Sequence, residues 1–206
     1  MKYPIAETFF SLKGEGLHTG VPMYFIRFSE CNLNCAFCDT DFSKKKEMSE
    51  DELTIEALES GAKHVVLTGG EPCLQRLFPL IEALHRENFQ VHMETNGSIL
   101  VPQNIDWITV SPKNLSLNFE TVRGADEIKF LCGSEGWREL IEGVLKKYEP
   151  VCRLLLMPLA IGKRDGNWSR KESDFIESNL KETIDYCKAH PEFTFCIQLH
   201  KVLNIK

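Results

Sequence analysis

Hydrophobic and polar positions follow two periods along the chain, and this pattern predicts strands separated by helices. Short runs rich in β-branched and aromatic residues have the length and composition of buried strands. They lie at 23–28, 64–67, 90–93, 107–110, 127–131, 153–157 and 194–199. Apolar residues at helical spacing predict helices at 49–61, 74–87, 135–148 and 169–190. The first and last of these begin with capping boxes, formed by Ser49 with Glu52 and by Ser169 with Glu172.

Strands that alternate with helices indicate parallel strands joined by right-handed crossovers. Either a doubly wound sheet or a barrel satisfies this pattern. A complete eight-unit barrel typically takes ~250 residues, and the chain has 206. We therefore expect an α/β fold, with a shortened or incomplete parallel (β/α) barrel as the barrel form. No repeat, low-complexity stretch or Gly/Ser linker divides the chain, so residues 1–206 are expected to form a single domain.

Unusual polar clusters directly follow most of the predicted strands. They occupy 31–40, 68–71, 94–97, 111–113 and 200–201. Because both architectures place ligands at the carboxyl ends of their strands, these clusters should meet at one rim. Glu127 and Lys129 are two residues apart on one strand, so they share a face. If that face is the interior, the two charges need a partner or a function.

The strongest chemical signal is three cysteines within eight residues, Cys31, Cys35 and Cys38, in a loop after a strand. Structural zinc sites take four N or S ligands, whereas three thiolates on a four-iron cluster leave one iron open for another ligand. A zinc loop completed by His18 or Cys73, or three simply buried thiols, is the alternative.

Composition narrows the choice of partners. The formal net charge is −6, with 43% hydrophobic residues. An acidic surface repels nucleic acid and anionic membranes, so neither is an expected partner and a small-molecule substrate is favoured. No long apolar run or leader-like segment is visible, and eight cysteines are few for a disulfide framework. These features predict a cytoplasmic protein.

The cysteine spacing, with Phe37 directly before Cys38, resembles the signature of radical S-adenosylmethionine (radical SAM) enzymes. The resemblance implies a radical SAM barrel and a [4Fe-4S] cluster on Cys31, Cys35 and Cys38. In that family the amino and carboxylate groups of S-adenosyl-L-methionine chelate the open iron. One electron then cleaves the cofactor to a 5′-deoxyadenosyl radical.

Further segments resemble the cofactor contacts of that family. Thr68-Gly69-Gly70-Glu71 is similar to its motif for the methionyl amine, although an isolated Gly-Gly-Glu-Pro segment is more often an ordinary turn. Segments 111–113 and 157–160 are weaker matches, which a turn and a core strand would also explain. The resemblance implies these cofactor-binding residues: Phe37, Cys38, Asp39, Gly70, Glu71, Ser111, Pro112, Lys113, Met157, Pro158, Leu159 and Ala160.

One subfamily matches almost end to end. Segments 11–16, 38–40, 94–97 and 198–205, together with Arg27, resemble the 7-carboxy-7-deazaguanine synthases. That resemblance implies contraction of 6-carboxy-5,6,7,8-tetrahydropterin to 7-carboxy-7-deazaguanine with loss of ammonia, on the route to queuosine. It also implies Mg2+ at Thr40, a flavodoxin or ferredoxin-type electron donor and a homodimer. The implied substrate contacts are Leu12, Lys13, Gly14, Arg27, Thr68 and Lys206.

Several of these positions leave alternatives open. Arg27 suits a substrate carboxylate if it faces inward and is an ordinary surface residue if it faces outward. The Thr40 hydroxyl could instead cap a turn. Lys13 replaces the glutamine usual in the subfamily, and Glu30 replaces a glycine. The carboxylate of Lys206 is expected to fold over the rim, where its own side chain could compete for the ligand.

Two other functions remain compatible with the residues. One is another radical SAM enzyme on the same scaffold, such as an activase that makes a glycyl radical on a partner protein. The other is a zinc or iron–sulfur binding module without catalytic activity.

Overall fold

A computed structural model describes residues 1–38, 40–41, 45–161, 174–175 and 177–206. Within these residues the centre of the molecule is one sheet of nine strands. Its strands are β1 (Lys2–Leu12), β2 (Pro22–Phe28), β3 (Lys46–Ser49), β4 (His64–Gly69), β5 (Gln90–Thr95), β6 (Trp107–Val110), β7 (Glu127–Cys132), β8 (Arg153–Pro158) and β11 (Phe193–Phe195). The short strands β9 (Ala160–Ile161) and β10 (Asp174–Phe175) pair separately. The helices are α1 (Glu50–Glu59), α2 (Phe78–Arg86), α3 (Phe119–Arg123), α4 (Trp137–Tyr148), α5 (Glu177–Ala189) and α6 (Leu199–Leu203).

The strand order is β11-β8-β7-β6-β5-β4-β2-β1-β3. The seven strands from β11 to β2 in this order all run parallel to one another. In this sheet β1 pairs antiparallel with β2 on one side and with β3 on the other, and the separate pair of β9 and β10 is antiparallel too. The sheet does not close, since β11 and β3 are its two edges. The predicted incomplete parallel barrel is therefore confirmed, with an antiparallel extension that the sequence pattern did not predict.

Most predicted elements are confirmed to within a few residues. Helix α1 carries the complete capping box between Ser49 and Glu52. Helix α2 begins later than predicted because residues 72–74 form a 3-10 turn and Pro79 suits the first helical turn. The predicted strand 194–199 is wrong in extent: it ends at Phe195, and the chain then turns into α6 as the Leu199 amide donates to the Gly14 carbonyl. The predicted start of the last helix at Ser169 lies outside the described residues.

Two hydrophobic cores lie between the sheet and its helices. The first unites β1 to β5 with α1 and α2, and the second unites β6 to β8 with α4 and α5. The alternation on β7 shows how the faces are assigned, because Ile128 belongs to the second core while Glu127 and Lys129 face the opposite side. The opposite face therefore carries buried polar groups that line the open barrel. None of the helices in the described part of the chain is long and apolar enough to cross a membrane.

Candidate active site

A cavity of about 280 Å³ lies at the carboxyl ends of the parallel strands. Its walls come from the end of β1, the cysteine loop, the ends of β4 to β8 and the last segment of the chain. The cavity therefore forms where the polar clusters were predicted to meet. Residues singled out from the sequence that line it are Leu12, Lys13, Gly14, Arg27, Cys31, Cys35, Phe37, Cys38, Thr40, Thr68, Gly70, Ser111, Lys113, Met157, Leu159 and Lys206.

The remaining predicted residues lie elsewhere. Pro112 lines a neighbouring groove of about 800 Å³, which shares Phe37 and Lys113 with the cavity. Pro158 is buried at the end of β8. Ala160 begins β9 and its side chain is not described, and Asp39 lies outside the described residues.

The cysteine loop packs directly against the turn after β4. A Cβ atom on Gly70 would lie 1.9 Å from the Glu30 carbonyl oxygen and 3.1 Å from Cys31 Cβ, so only glycine allows this approach. Asn32 fixes the loop on its other side, donating to Ser98 Oγ at 2.9 Å and accepting from Asn96 Nδ2 at 2.9 Å. Gly70 thus lets the loop pack closely, and the Asn32 hydrogen bonds hold it at the rim.

Cys31, Cys35 and Cys38 are free thiols that line the cavity. Within the described residues, no three His, Cys, Asp or Glu side chains are grouped so that they could hold a single metal ion. The zinc alternative also lacks its fourth ligand, because His18 packs edge-on against His92 while Cys73 packs against the first core. In a four-iron cluster each thiolate binds a different iron, so three spread thiols around a cavity suit that group better than a single ion.

Glu71 is fully buried beneath the turn that follows β4. Its carboxylate accepts hydrogen bonds from Thr95 Oγ1 at 2.7 Å, from the Asn96 amide at 2.8 Å and from the Cys73 amide at 3.1 Å. The carboxylate therefore ties the turn to the end of β5. A carboxylate has about four lone-pair sites, so one acceptor position remains beyond these three bonds.

Arg27 faces the cavity, which settles the orientation that the sequence left open. Its Nε donates to Glu7 Oε1 at 2.9 Å and its Nη1 to Thr40 Oγ1 at 3.4 Å. The guanidinium also lies over the Phe9 ring, 5.9 Å from its centroid. Arg27 and Thr40 consequently stand together at one end of the cavity.

Lys206 reaches the same end of the cavity. Its ammonium contacts Glu7 Oε2 at 2.8 Å and lies 4.9 Å from the centroid of the Phe9 ring, while its carbonyl oxygen accepts from Ser11 Oγ. Glu7 and Phe9 thus hold the Lys206 ammonium at this end of the cavity.

A row of alternating charges crosses the opposite side of the cavity. The Lys13 ammonium pairs with Glu94 Oε1, Lys129 Nζ lies 3.0 Å from Glu94 Oε2, and Lys129 also pairs with Glu15 Oε2. Gln198 Nε2 completes the row by donating to Glu15 Oε1 at 2.7 Å. We name these five residues the charge row. Of these five residues, only Lys13 was predicted from the sequence to have a role in the site. The shared strand face of Glu127 and Lys129 indicated that Lys129 could point inward, but it did not reveal the partners of Lys129.

The charge row determines the protonation of its members. Burial is the largest single influence and raises the pKa of Glu15 and Glu94, but the neighbouring cations, Lys129 first and Lys13 among them, together hold both pKa values below their ordinary range. Burial alone would lower the pKa of Lys129, yet the two carboxylates raise it well above its usual value. Lys113 lies close by and has its pKa lowered by burial and by the Lys129 charge. Both glutamates are therefore ionised at neutral pH.

Comparisons with known proteins agree with this geometry. The family described as the Radical SAM superfamily matches residues 25–152. The 7-carboxy-7-deazaguanine synthase of Bacteroides thetaiotaomicron is 37% identical over 207 residues, covering 100% of both chains. That of Burkholderia multivorans is 37% identical over 227 residues, again with 100% of both chains covered. The crystal structure of QueE from Escherichia coli superposes with a TM-score of 0.78 at 30% identity, covering 97% of this chain and 95% of that one.

The open parallel sheet, the cysteine loop at its rim and the family match define an enzyme of the radical SAM class. Enzymes of this class carry a [4Fe-4S] cluster and use S-adenosylmethionine. With relatives above 30% identity along its whole length, the chain belongs to the family of 7-carboxy-7-deazaguanine synthases.

Proposed function

We propose that this enzyme contracts the ring of 6-carboxy-5,6,7,8-tetrahydropterin to 7-carboxy-7-deazaguanine and releases ammonia, a step towards queuosine. The observation that carries the proposal is the single cavity that joins the three thiols of the cysteine loop to the positions predicted for the substrate. Full-length similarity to synthases of this name supports the same substrate.

Cys31, Cys35 and Cys38 are the ligands proposed for the cluster. When bound, the reduced cluster supplies the electron that cleaves S-adenosylmethionine and thereby the radical that removes the C6 hydrogen of the pterin. Phe37, Gly70, Ser111, Lys113, Met157 and Leu159 line the space beside the thiols and are the proposed cofactor contacts, with Asp39, Glu71, Pro112, Pro158 and Ala160 flanking them in the chain. Lys113 donates to Ser111 Oγ at 2.6 Å, which fixes the lysine near Cys35.

Arg27 is the proposed partner of the substrate carboxylate. Its planar fork suits a carboxylate, and Glu7 holds the Nε side so that the guanidinium keeps one orientation. Thr40 stands within 3.4 Å of Arg27 and is the proposed oxygen ligand of Mg2+, a hard cation that prefers oxygen and keeps several waters. Leu12, Lys13, Gly14, Thr68 and Lys206 line the rest of the proposed substrate site.

We further propose that residues 1–206 act as a single domain in the cytoplasm, as a homodimer reduced by a flavodoxin or ferredoxin-type protein. The two hydrophobic cores share one sheet, which supports one domain. Cys31, Cys35 and Cys38 are only partly buried, which leaves a short path from the surface for an electron.

The test is anaerobic turnover by cluster-reconstituted protein with S-adenosylmethionine, a reductant, Mg2+ and 6-carboxytetrahydropterin, followed by mass spectrometry. We expect 7-carboxy-7-deazaguanine from the wild type, none from Cys35→Ala, and wild-type amounts from Cys187→Ala. Cys187 is the matched control because it packs against the second core, away from the cavity. Formation of 5′-deoxyadenosine without the deazaguanine would refute the substrate. The absence of both products from protein that carries a full cluster would refute the enzyme itself.

A further inference from the structure

Lys129 connects two carboxylates that come from distant parts of the chain. It lies on β7 with 3% of its surface exposed, and its ammonium contacts Glu94 on β5 and Glu15 in the loop after β1. The two pairs span 35 and 114 residues of sequence. All three side chains line the cavity. The lysine therefore brings together two negative charges that would otherwise repel each other in a buried space.

We infer that Lys129 is a positioning residue for the reaction, the shared counter-ion that holds Glu15 and Glu94 as ionised acceptors for the N–H groups of the pterin ring. The inference rests on the proposed function for the identity of the ligand. It adds a residue for which the sequence suggested no role in the reaction, on the side of the cavity away from Arg27. In the sheet, three strands separate β2, which carries Arg27, from β7, which carries Lys129.

The chemistry of the ligand explains why ionised carboxylates are needed. A pterin carries a ring N–H and an amino group on its pyrimidine edge, and both donate hydrogen bonds. An ionised carboxylate only accepts hydrogen bonds. A protonated carboxyl carries an O–H donor, which would face the donors of the ring without forming a hydrogen bond. A buried carboxylate beside another carboxylate is protonated unless a cation offsets both burial and repulsion. Lys129 is placed to supply that charge.

The other charged groups around the pair do not replace Lys129. Lys13 pairs with Glu94 Oε1, and His200 and Lys113 also act on the glutamates from the rim. The Glu127 carboxylate accepts from Thr109 Oγ1 at 2.8 Å and from the Leu17 amide at 2.9 Å, and the Cys196 thiol has only a minor influence on Lys129. Lys129 has a direct contact with both glutamates. Its removal should therefore take away the cation that lowers the pKa of Glu15 most strongly.

The experiment compares Lys129→Met and Lys129→Arg with the exposed control Lys146→Met in the reconstituted enzyme. We expect Lys129→Met to lower kcat/KM by roughly 10- to 100-fold, mainly through KM, because charge-assisted hydrogen bonds to the ring are lost. We also expect its kcat/KM to fall at a higher pH than in the wild type when the solution is acidified, because the glutamates now bind a proton more readily. Lys129→Arg keeps the charge and should keep the acid limb at its wild-type pH while KM rises.

A readout without turnover separates positioning from general damage. The fluorescence of oxidised pterin-6-carboxylate, titrated with cluster-free protein, should show weaker binding by Lys129→Met and unchanged binding by Lys146→Met. Adding Glu15→Gln to Lys129→Met removes the repulsion, so the acid limb should return towards the wild-type pH while KM stays high.

An unchanged KM and an unchanged acid limb in Lys129→Met would overturn the inference while leaving the proposed function intact, since the wild type tests that function in the same assay. If Lys129→Met does not fold, Lys129→Arg decides: a shift of its acid limb to higher pH would contradict the role of the charge.

Discussion

The backbone of Lys13 is held by hydrogen bonds within the loop after β1. Its backbone amide donates to the Val21 carbonyl at 2.8 Å, and its carbonyl accepts from the Gly20 amide at 2.8 Å. Its side chain is 7% exposed, and its ammonium pairs with Glu94. A lysine at this position therefore adds a positive charge to the charge row without disturbing the loop that carries it.

Two substitutions at Lys13 should separate hydrogen bonding from charge. Lys13→Gln keeps an N–H donor for Glu94, whose other oxygen still contacts Lys129, so we expect kcat/KM within roughly 3-fold of the wild type. Lys13→Met leaves a buried carboxylate oxygen without its donor, and kcat/KM should fall by roughly 10-fold or more. Steady-state turnover of the pterin checks both. Equal losses in the two variants would show that the ammonium itself contacts the substrate.

At the scale of elements, the loop between β1 and β2 fills the interior of the open barrel. The Leu17 amide donates to Glu127 Oε2 at 2.9 Å, and the His18 ring packs edge-on against His92 and Trp107 with centroid distances of 4.7 and 4.4 Å. The loop can enter because Gly16 has φ +79° and no side chain beside the Glu127 carboxylate. The loop therefore positions Lys13 and Glu15 from inside the barrel.

Gly16→Ala and Gly20→Ala form a matched pair that tests this packing. Both residues have positive φ, +79° and +89°, so each alanine should cost about 1–3 kcal/mol of stability from backbone strain. A Cβ at residue 16 would also lie 2.2 Å from Glu127 Oε1, whereas a Cβ at residue 20 meets nothing within 4 Å. We expect Gly16→Ala to be the less stable variant in urea unfolding and to raise KM, and Gly20→Ala to keep KM. A normal KM in Gly16→Ala would show that the loop does not set the substrate site.

Sequence patterns predicted the parallel strands well because such strands are buried on both faces and read as continuous apolar runs. The strand from Trp107 to Val110 has the predicted bounds. Strand β1 was missed because Pro4 and the polar residues Glu7 and Thr8 interrupt its apolar pattern; it pairs antiparallel with β2 and is partly exposed. Strand β3 was missed because Met48 is the only apolar residue among its four, so it shows no strand pattern.

The candidate site was predictable only as far as its local motifs. Motif spacing identified Cys31 and Gly70, because each lies in a short characteristic segment. The charge row escaped prediction because its contacts join residues 35 to 183 positions apart, and no local period encodes such pairs. The spacing of Glu127 and Lys129 indicated that charged side chains could face inward, but their partners could be identified only from the three-dimensional structure.

At the scale of the whole molecule, stability should depend on one buried neutral histidine, His92, beneath the inserted loop. His64 Nδ1 lies 3.1 Å from His92 Nε2, and His92 is 4% exposed. Burial lowers the pKa of His92 to about 3, with further lowering by His18, His64 and Lys13 and a smaller opposing effect of Asp106. Burial and His18 also lower the pKa of His64.

Because the unfolded chain binds protons near pH 6.5 and folded His92 does so only near pH 3, acid favours the unfolded state. The stabilisation is complete above pH 6.5 and is lost progressively as the pH falls towards 3. At pH 5.5 a single such histidine should cost roughly 1 kcal/mol of the free energy of unfolding.

Urea unfolding of the wild type at pH 7.5 and 5.5 should show this loss, and His92→Gln should reduce the difference between the two pH values by about that amount. His190→Gln, which changes a histidine side chain that is 43% exposed, should leave the difference unchanged. If His92→Gln and the wild type lose equal stability on acidification, protonation of this cluster does not limit the fold.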